Sequence, residues 1–196
     1  MVAQQGKNSM SFGRYEKGVG LIEILMSLVV IAVGMLGLVG LHGKAQLAEM
    51  ESYQRIQALV LLEDIASRLR ANRVLRSCYA LDDFNLEYLG TDVAFNGTGC
   101  NTAADNDLVA WHQALLGDNE IADGVSSGSI IGARGCILAV DANTFQITVA
   151  WQGLSKQSYD LLANDPRLTN DCGSNKYGNE SKRRIVSTRV AFVTLD

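Results

Sequence analysis

A run of 23 residues, 19–41, contains a single charged side chain, that of Glu23. As a helix, such a run is long enough to cross a hydrocarbon layer of about 30 Å. It also exceeds the roughly 7–15 apolar residues at the core of a secretory signal. Three basic residues precede it: Lys7, Arg14 and Lys17. Because basic residues before an apolar run stay on the cytoplasmic side, the run predicts a single-pass helix with the remaining chain on the opposite side.

Glu23 is costly within this run, because a carboxylate in hydrocarbon is unfavourable unless it lies near the interface or has a partner. In a plain, uncut anchor the acid would have no use. If the chain is cut after Gly18, the new positive α-amine of Val19 lies about one helical turn from Glu23 of the same copy, or near Glu23 of a neighbouring copy. Opposite charges attract strongly where the dielectric constant is low. The position of Glu23 therefore favours a chain that is cut and then assembles.

The start of the chain resembles the prepilin-processing motif of type IV pilins and of type II secretion pseudopilins. The matching residues are Gly18, the hydrophobic Val19, Leu21-Ile22-Glu23 and the apolar stretch that follows. The resemblance implies cleavage between Gly18 and Val19 by prepilin peptidase, N-methylation of Val19 and a requirement for Glu23 in assembly. Val19 stands where the family usually has Phe or Met, and Gly20 is an uncommon second residue.

Four glycines recur at every third position of this segment: Gly34, Gly37, Gly40 and Gly43. Each costs about 1 kcal/mol relative to alanine in a helix interior. One interpretation is close packing between helices in a bilayer through small residues. The other rests on the resemblance, since many pilins have a helix-breaking proline at the position of Gly40. In that hypothesis the glycines let the helix loosen when it leaves lipid for a filament.

The apolar run continues into 44–76 without a proline or a turn signal. Its apolar residues are three, four or eight positions apart, which places them on one helix face. They are Leu47, Met50, Ala58, Leu61, Ile65 and Leu69. We therefore expect one helix of about 50 residues, apolar all round in its first half and amphipathic in its second. We attribute the arginines near its end, within 68–76, to the helix dipole and solvent.

Four cysteines lie beyond the apolar run: Cys78, Cys100, Cys136 and Cys172. None forms a Cys-x-x-Cys pair, and the two histidines have no ligand at a suitable spacing, so we predict no metal site. Widely spaced cysteines in even number on the translocated side predict two disulfides, formed in an oxidising compartment. Of the three connectivities, we favour the pairs closest along the chain, Cys78–Cys100 and Cys136–Cys172, although the sequence leaves the others open.

Two runs of alternating apolar residues around a turn at 141–143 predict a β-hairpin. The runs are Cys136, Leu138 and Val140, and then Phe145, Ile147, Val149 and Trp151. A final strand rich in Val and Thr is expected at Ile185–Leu195. Between hairpin and strand, 153–184 contains Pro166, the only proline, and predicts a loop region.

The segment 78–128 is rich in Asn, Asp, Gly and Thr, which predicts a long surface excursion. Inside it, Asp107–Leu116 predicts a short helix with Asp105 or Asn106 as its cap and Gly117 as its end. Trp111 is expected to pack this helix on the body.

The expected fold is therefore α+β and pilin-like, with a long N-terminal helix on a small antiparallel sheet. We predict a leader at 1–18, a transmembrane or filament-core half of the helix at 19–43, an amphipathic half at 44–77 and a globular periplasmic head at 78–196.

The last third of the chain is similar to the C-terminal part of PilV-type minor pilins of type IVa pili. The matching residues are 149–153, Cys172, Tyr177-Gly178-Asn179-Glu180 and Arg183-Arg184. The resemblance implies a minor pilin of a type IV pilus that primes pilus assembly and sits at or near the tip, with roles in twitching motility and adhesion. It implies contacts with prepilin peptidase, other minor pilins, the major pilin and a tip adhesin. Its location would be the bacterial inner membrane and then the cell surface. A minor pseudopilin of a type II secretion system is the alternative.

We find no constellation of residues for catalysis or for a cofactor, such as a Gly-x-Ser-x-Gly elbow or a phosphate loop, and predict that the chain is not an enzyme. The Asp82-Asp83 pair is interpreted as a solvated loop rather than a cation site. The formal net charge is −4, and three of the 17 basic residues precede Gly18, so nucleic acid is not an expected partner. Lys182-Arg183-Arg184 is the one candidate basic cluster, and we interpret it as a solvated strand entrance.

Overall fold

The apolar run and the amphipathic segment after it belong to one helix, α1, which spans Leu21–Ala71. The computed structural model describes residues 20–82, 86–117, 121–122, 125–126, 130–156 and 170–193. The chain divides into two compact units, Met1–Lys44 and Ala45–Asp196, and the boundary falls within α1. The helix ends earlier than predicted, because a 3₁₀ helix at Arg73–Tyr79 replaces its last turns. In the second unit, the half of α1 from Ala45 packs on a small antiparallel sheet, so the predicted α+β class is confirmed.

The sheet has four antiparallel strands in the order β1-β4-β5-β6. Their bounds are Leu89–Gly90 for β1, Arg134–Asp141 for β4, Thr144–Gln152 for β5 and Arg183–Ala191 for β6. A separate two-stranded pair joins β2, Ile121–Ala122, to β3, Val125–Ser126. The hairpin β4–β5 is confirmed, with its turn at Ala142 and Asn143. The final strand begins two residues before the predicted Ile185 and ends at Ala191, while Leu195 and Pro166 lie outside the described residues.

The register of the hairpin decides which side chains of β4 face α1. Ile137 pairs with Ile147, and both are fully buried in the main core with Phe145. Leu138 therefore points to the opposite sheet face, where it is 37 % exposed. The alternation of Cys136, Leu138 and Val140 correctly predicts a strand, but this set does not line the main core.

The helix contributes its core face from Gln54 onward. The buried residues of α1 are Gln54, Ala58, Leu62, Ile65, Ala66 and Leu69. This confirms Ala58, Ile65 and Leu69, and Leu61 is partly buried against the core. Leu47 and Met50 are 50 % and 56 % exposed. Their spacing fits the same face, but no described part of the head covers the helix that early.

The second helix, α2, spans Thr102–Leu116 and starts five residues before its predicted start. Its cap is Asn101, whose side chain accepts a hydrogen bond from Ala103 N, and not Asp105 or Asn106. Gly117 ends the helix as predicted, in the left-handed conformation with φ 79°. The side chain of Asp105 instead accepts hydrogen bonds from the backbone and hydroxyl of Thr98, each at 2.7 Å, which hold the preceding loop on the helix.

The segment after Cys78 is not the surface excursion that its composition predicts. It supplies several fully buried side chains of the main core: Tyr79, Leu81, Leu89, Leu108, Trp111 and Leu115. These apolar residues are scattered among Asn, Asp and Gly, so no period of two or 3.6 marks them outside α2.

Trp111 packs α2 on the body as predicted. Its ring is fully buried, and Nε1 donates a hydrogen bond of 2.9 Å to Leu61 O of α1. On its other side the ring lies on Gly135 of β4, where an added Cβ would lie 2.7 Å from ring atom Cζ2. Gly135 is therefore required by close approach of the indole and not by a turn.

We predict that Gly135→Ala lowers the free energy of unfolding by about 1–3 kcal/mol, because the methyl group would overlap a ring that is hydrogen-bonded in place. Thermal unfolding of the intact chain in detergent micelles measures the change. The same substitution in a Trp111→Phe background, where the smaller ring leaves room, should cost clearly less. Equal costs in both backgrounds would contradict this account of Gly135.

Candidate functional site

The predicted cleavage residues Gly18 and Val19 lie outside the described residues, so the site begins at the start of α1. Glu23 lies in the first turn of α1, where its N–H donates to Gly20 O at 2.9 Å. The Ser27 hydroxyl donates to Glu23 O at 2.7 Å. An acid in the first turn interacts favourably with the positive end of the helix dipole, which by itself accounts for part of its presence.

The helix around Glu23 is apolar on every side. Each large apolar side chain from Leu21 to Leu41 is exposed by half or more. Within Leu21–Ala71, the most apolar window is long and apolar enough to cross a membrane by length and composition, and none of it is buried within the chain. Exposed apolar surface on this scale requires lipid or protein around it.

The four glycines of this segment lie inside a continuous helix. A Cβ added to any one of them would meet no atom within 4 Å among the described contacts. No close approach within the described chain therefore requires glycine at Gly34, Gly37, Gly40 or Gly43. Both interpretations, packing against another helix and loosening in a filament, remain predictions.

A second exposed apolar surface lies on the head half of α1, and we did not predict it from the sequence. It consists of Tyr53, Ile56 and Val60, which are 58 %, 58 % and 63 % exposed. Their spacing of three and four residues places them on one face, opposite the buried face of Ala58 and Ile65. The same spacing of three and four residues is visible in the sequence for both faces, and we used it only to predict the buried face.

The two disulfides hold the segments after α1. Cys78 is bonded to Cys100 with Cα atoms 5.6 Å apart, and Cys136 to Cys172 with Cα atoms 5.9 Å apart. These are the pairs closest along the chain. The first joins the end of the 3₁₀ helix to the residue before the α2 cap, and the second joins β4 to the loop that precedes β6.

The second disulfide lies on the sheet face opposite α1, within a small cluster of its own. Tyr88, Ala150 and Tyr177 pack around it. Beside this cluster, the buried guanidinium of Arg134 lies between the rings of Tyr88 and Tyr177, at 5.3 Å and 4.9 Å from their centroids, and pairs with Asp92. These cation–π contacts join three segments that are far apart in sequence, so no local pattern predicts them.

The basic cluster 182–184 is not a solvated strand entrance, because Arg183 and Arg184 point into the head. Arg183 is 5 % exposed, and its guanidinium donates to Asn170 O at 2.7 Å and Glu180 Oε2 at 2.5 Å. Arg184 donates to Ser155 O at 2.8 Å and pairs with Glu51 of α1 at 3.4 Å. Both arginines hold loops in place, and this explains them without an external anion.

Glu51 joins α1 to the end of the hairpin. Its Oε1 accepts hydrogen bonds from the Ser155 hydroxyl at 2.6 Å and from Ser155 N at 2.9 Å. The Ser155 hydroxyl, reinforced by Ser155 N–H and Arg184, lowers the pKa of the Glu51 carboxyl against the opposing effect of partial burial. The charged form of Glu51 is therefore favoured in the folded head.

A polar network joins the end of α1 to α2. The Tyr79 hydroxyl donates to Asp107 Oδ2 at 2.5 Å, and Asn72 donates to the same oxygen at 2.8 Å. Arg68 pairs with Asp107 at 3.1 Å and with Asp64 at 3.0 Å. Burial, and then the bond to Asp107, raise the pKa of Tyr79. Arg68 is therefore paired with two carboxylates. We had predicted only the helix dipole and solvent as its partners.

Within the described ranges, no group of three or more His, Cys, Asp or Glu side chains is placed to hold a metal ion. His112 is buried, and its Nδ1 accepts a hydrogen bond of 3.0 Å from Gly90 N. Asp82 accepts a bond from Ala139 N at 3.5 Å, while Asp83 lies outside the description. His112 and Asp82 thus each accept a hydrogen bond from the backbone of the sheet, which gives them a structural role.

Comparison with known proteins finds no matching family model, no matching curated protein and no matching solved structure.

The Glu51 link predicts a pH dependence of stability. Because the folded pKa lies below the unfolded value of about 4.5, the carboxylate contributes fully above that value. Its contribution is lost as the pH falls through the folded pKa. We expect Glu51→Gln to lower the melting temperature of the intact chain in micelles at about pH 7, and to have a smaller effect at about pH 3.

The exposed neighbour Glu49 provides the control for this measurement, since Glu49→Gln removes the same charge from the same helix. It should change the melting temperature little at either pH. A Glu51→Gln effect that is equal at both pH values would mean that the ion pair does not stabilise the head.

Proposed function

We propose that this chain is a minor pilin, a structural subunit of a type IV pilus that primes pilus assembly and sits at or near the tip. The observation that carries the proposal is Glu23, the single charged side chain of the run 19–41, in a stretch of α1 whose large apolar side chains are exposed all round. The helix dipole accounts for part of the presence of that carboxylate but supplies no counter-charge in the membrane, whereas an assembly of cut chains can neutralise the acid.

In the proposed mechanism, prepilin peptidase cuts the chain between Gly18 and Val19, and the new α-amine of Val19 is N-methylated. The amine lies about one helical turn from Glu23. In the membrane, the acid stays near the interface. When helices leave lipid and pack together, the amine of one subunit and Glu23 of the same or the next subunit pair in a low-dielectric interface.

Two further observations support an assembly subunit. Tyr53, Ile56 and Val60 give the head half of α1 an apolar face that the described head leaves uncovered, which suits packing against a neighbouring subunit. The two disulfides suit a head that folds in an oxidising compartment. In this proposal the helix lies in the bacterial inner membrane and the head lies in the periplasm. The partners in this proposal are the other minor pilins, the major pilin and a tip adhesin.

The proposal predicts the N-terminus of the mature chain. Mass spectrometry of the chain from cells with prepilin peptidase should show a first residue of methylated Val19, and cells without the peptidase should retain Gly18 and the leader. A mature chain that starts at any other residue, or that is never cut, would overturn the assignment.

The proposal also predicts that Glu23→Ala separates processing from assembly. The variant should still be cut and membrane-anchored, since neither step uses the acid, yet its amount in sheared filaments should fall by roughly tenfold or more, because the amine then lacks its partner. Ser27→Ala, one turn further along, is the matched control and should assemble normally. Normal assembly of Glu23→Ala would contradict the mechanism.

Deletion of the chain tests which machine it serves. Loss of surface pili and of twitching motility would support the pilus. Loss of protein secretion with normal pili would instead assign the chain to a type II secretion pseudopilus.

A further inference from the structure

The last strand of the sheet has one edge with which no described strand pairs. β6 stands at the end of the strand order β1-β4-β5-β6 and pairs with β5 alone among the described strands. Beyond the two ends of this ladder, Gly153 N donates to Lys182 O and Phe192 N donates to Asn143 O. The even-numbered residues of β6 therefore direct their backbone groups toward β5, because both bonds are in register with the ladder.

The odd-numbered residues direct their N–H and C=O groups to the free edge. Three consecutive ones, Ser187, Arg189 and Ala191, are exposed. Within the described ranges, their N–H groups donate to no other backbone segment. Such an edge is a template for another extended chain.

A cationic pocket of about 490 Å³ lies at the C-terminal end of this edge. Three arginines line it: Arg70 of α1, Arg73 of the 3₁₀ helix and Arg189 of β6. Residues 190–193 complete the lining. Arg73 donates to Val193 O at 3.1 Å. Arg70 pairs with Glu63 at 2.7 Å, and the two side chains are 46 % and 65 % exposed. An exposed pair of this kind is weak and exchanges readily for another carboxylate.

We propose that the free edge of β6 and this arginine pocket form a docking site for an extended, acidic segment of a partner protein. The backbone of the segment would add to the sheet as a further strand beside residues 187–191, and its Asp or Glu side chains would bind the guanidiniums. Val193, which is 72 % exposed and lines the pocket, adds apolar contact surface.

A second copy of this chain does not suit the edge. Arg189 lies in the middle of the exposed stretch 187–191 and β6 contains no acidic residue, so two copies paired about this stretch would place Arg189 beside Arg189. The helix dipole explains Arg70 at the end of α1, but it does not explain Arg189 on a strand. An acidic partner complements both. The inference concerns the β6 edge and the arginine pocket, and it is independent of the proposed function.

The probe is a synthetic seven-residue peptide of alternating Val or Thr and Asp, acetylated and amidated so that its side chains carry the only negative charges. Fluorescence anisotropy measures its binding to the intact chain in uncharged detergent micelles. The same peptide with Asn in place of Asp should bind roughly tenfold more weakly or worse. A peptide N-methylated at alternate residues cannot complete the strand pairing and should also lose binding by roughly tenfold or more.

Protein variants test the two halves of the site. Ala191→Pro removes an N–H that faces the free edge and leaves the bonds to β5 intact, so it should abolish peptide binding without a loss of sheet. Arg189→Gln and Arg70→Gln should each weaken binding severalfold and reduce the preference for Asp over Asn peptide. Arg55→Gln, which removes an exposed arginine outside the pocket, is the matched control and should bind as the unaltered chain does.

The proposal would be overturned by equal binding of the Asp and Asn peptides, by undiminished binding of the N-methylated peptide, or by no binding to the unaltered chain at millimolar concentration. Self-association that Ala191→Pro abolishes, seen without peptide binding, would also overturn it in favour of a second copy. Because the N-methylated peptide leaves the protein unchanged, the edge is tested even if Ala191→Pro unfolds the head.

Discussion

The head depends on the contact of Trp111 with both α1 and the sheet. Its indole nitrogen is fixed on Leu61 O of the helix, and its ring lies on Gly135 of β4. Because protein interiors are close-packed, a ring that lies this near to β4 requires a residue without a Cβ at Gly135. α2 thereby contacts both the helix α1 and the sheet. Asp107 of α2 makes a second connection, to Tyr79 and to Arg68 at the end of α1.

Charged residues of the head mostly stabilise loops. Arg134 is held between two tyrosine rings, and Arg183 and Arg184 bond to backbone carbonyls and acids of neighbouring segments. A charge that is buried in this way requires its partners, because an unpaired buried charge is strongly unfavourable. These arginines are therefore part of the fold, whereas Arg70, Arg73 and Arg189 line a pocket, and Glu63, which pairs with Arg70, is the one carboxylate bound to them among the described residues.

Apolar surface remains on α1 in two forms. From Leu21 to Leu41 it covers the whole circumference, and on the head half Tyr53, Ile56 and Val60 form a stripe on the face opposite the core. The first form suits lipid or a bundle of helices, whereas the second has only one side and suits a protein partner. In a chain with one carboxylate in its apolar half, this combination favours assembly over simple anchoring.

The sequence by itself determined the long helix, the hairpin, the end of α2 at Gly117 and the isolation of Glu23 in an apolar run, because each rests on local spacing or on one charge in that run. Only the tertiary structure decided that Leu47 and Met50 are exposed, that 78–117 supplies core residues and that Arg183 and Arg184 are internal. Burial depends on which segments meet, and those segments are distant along the chain. The edge of β6 that no described strand pairs with also depends on distant segments, because it follows from the order of the strands in the sheet. No single strand encodes that order.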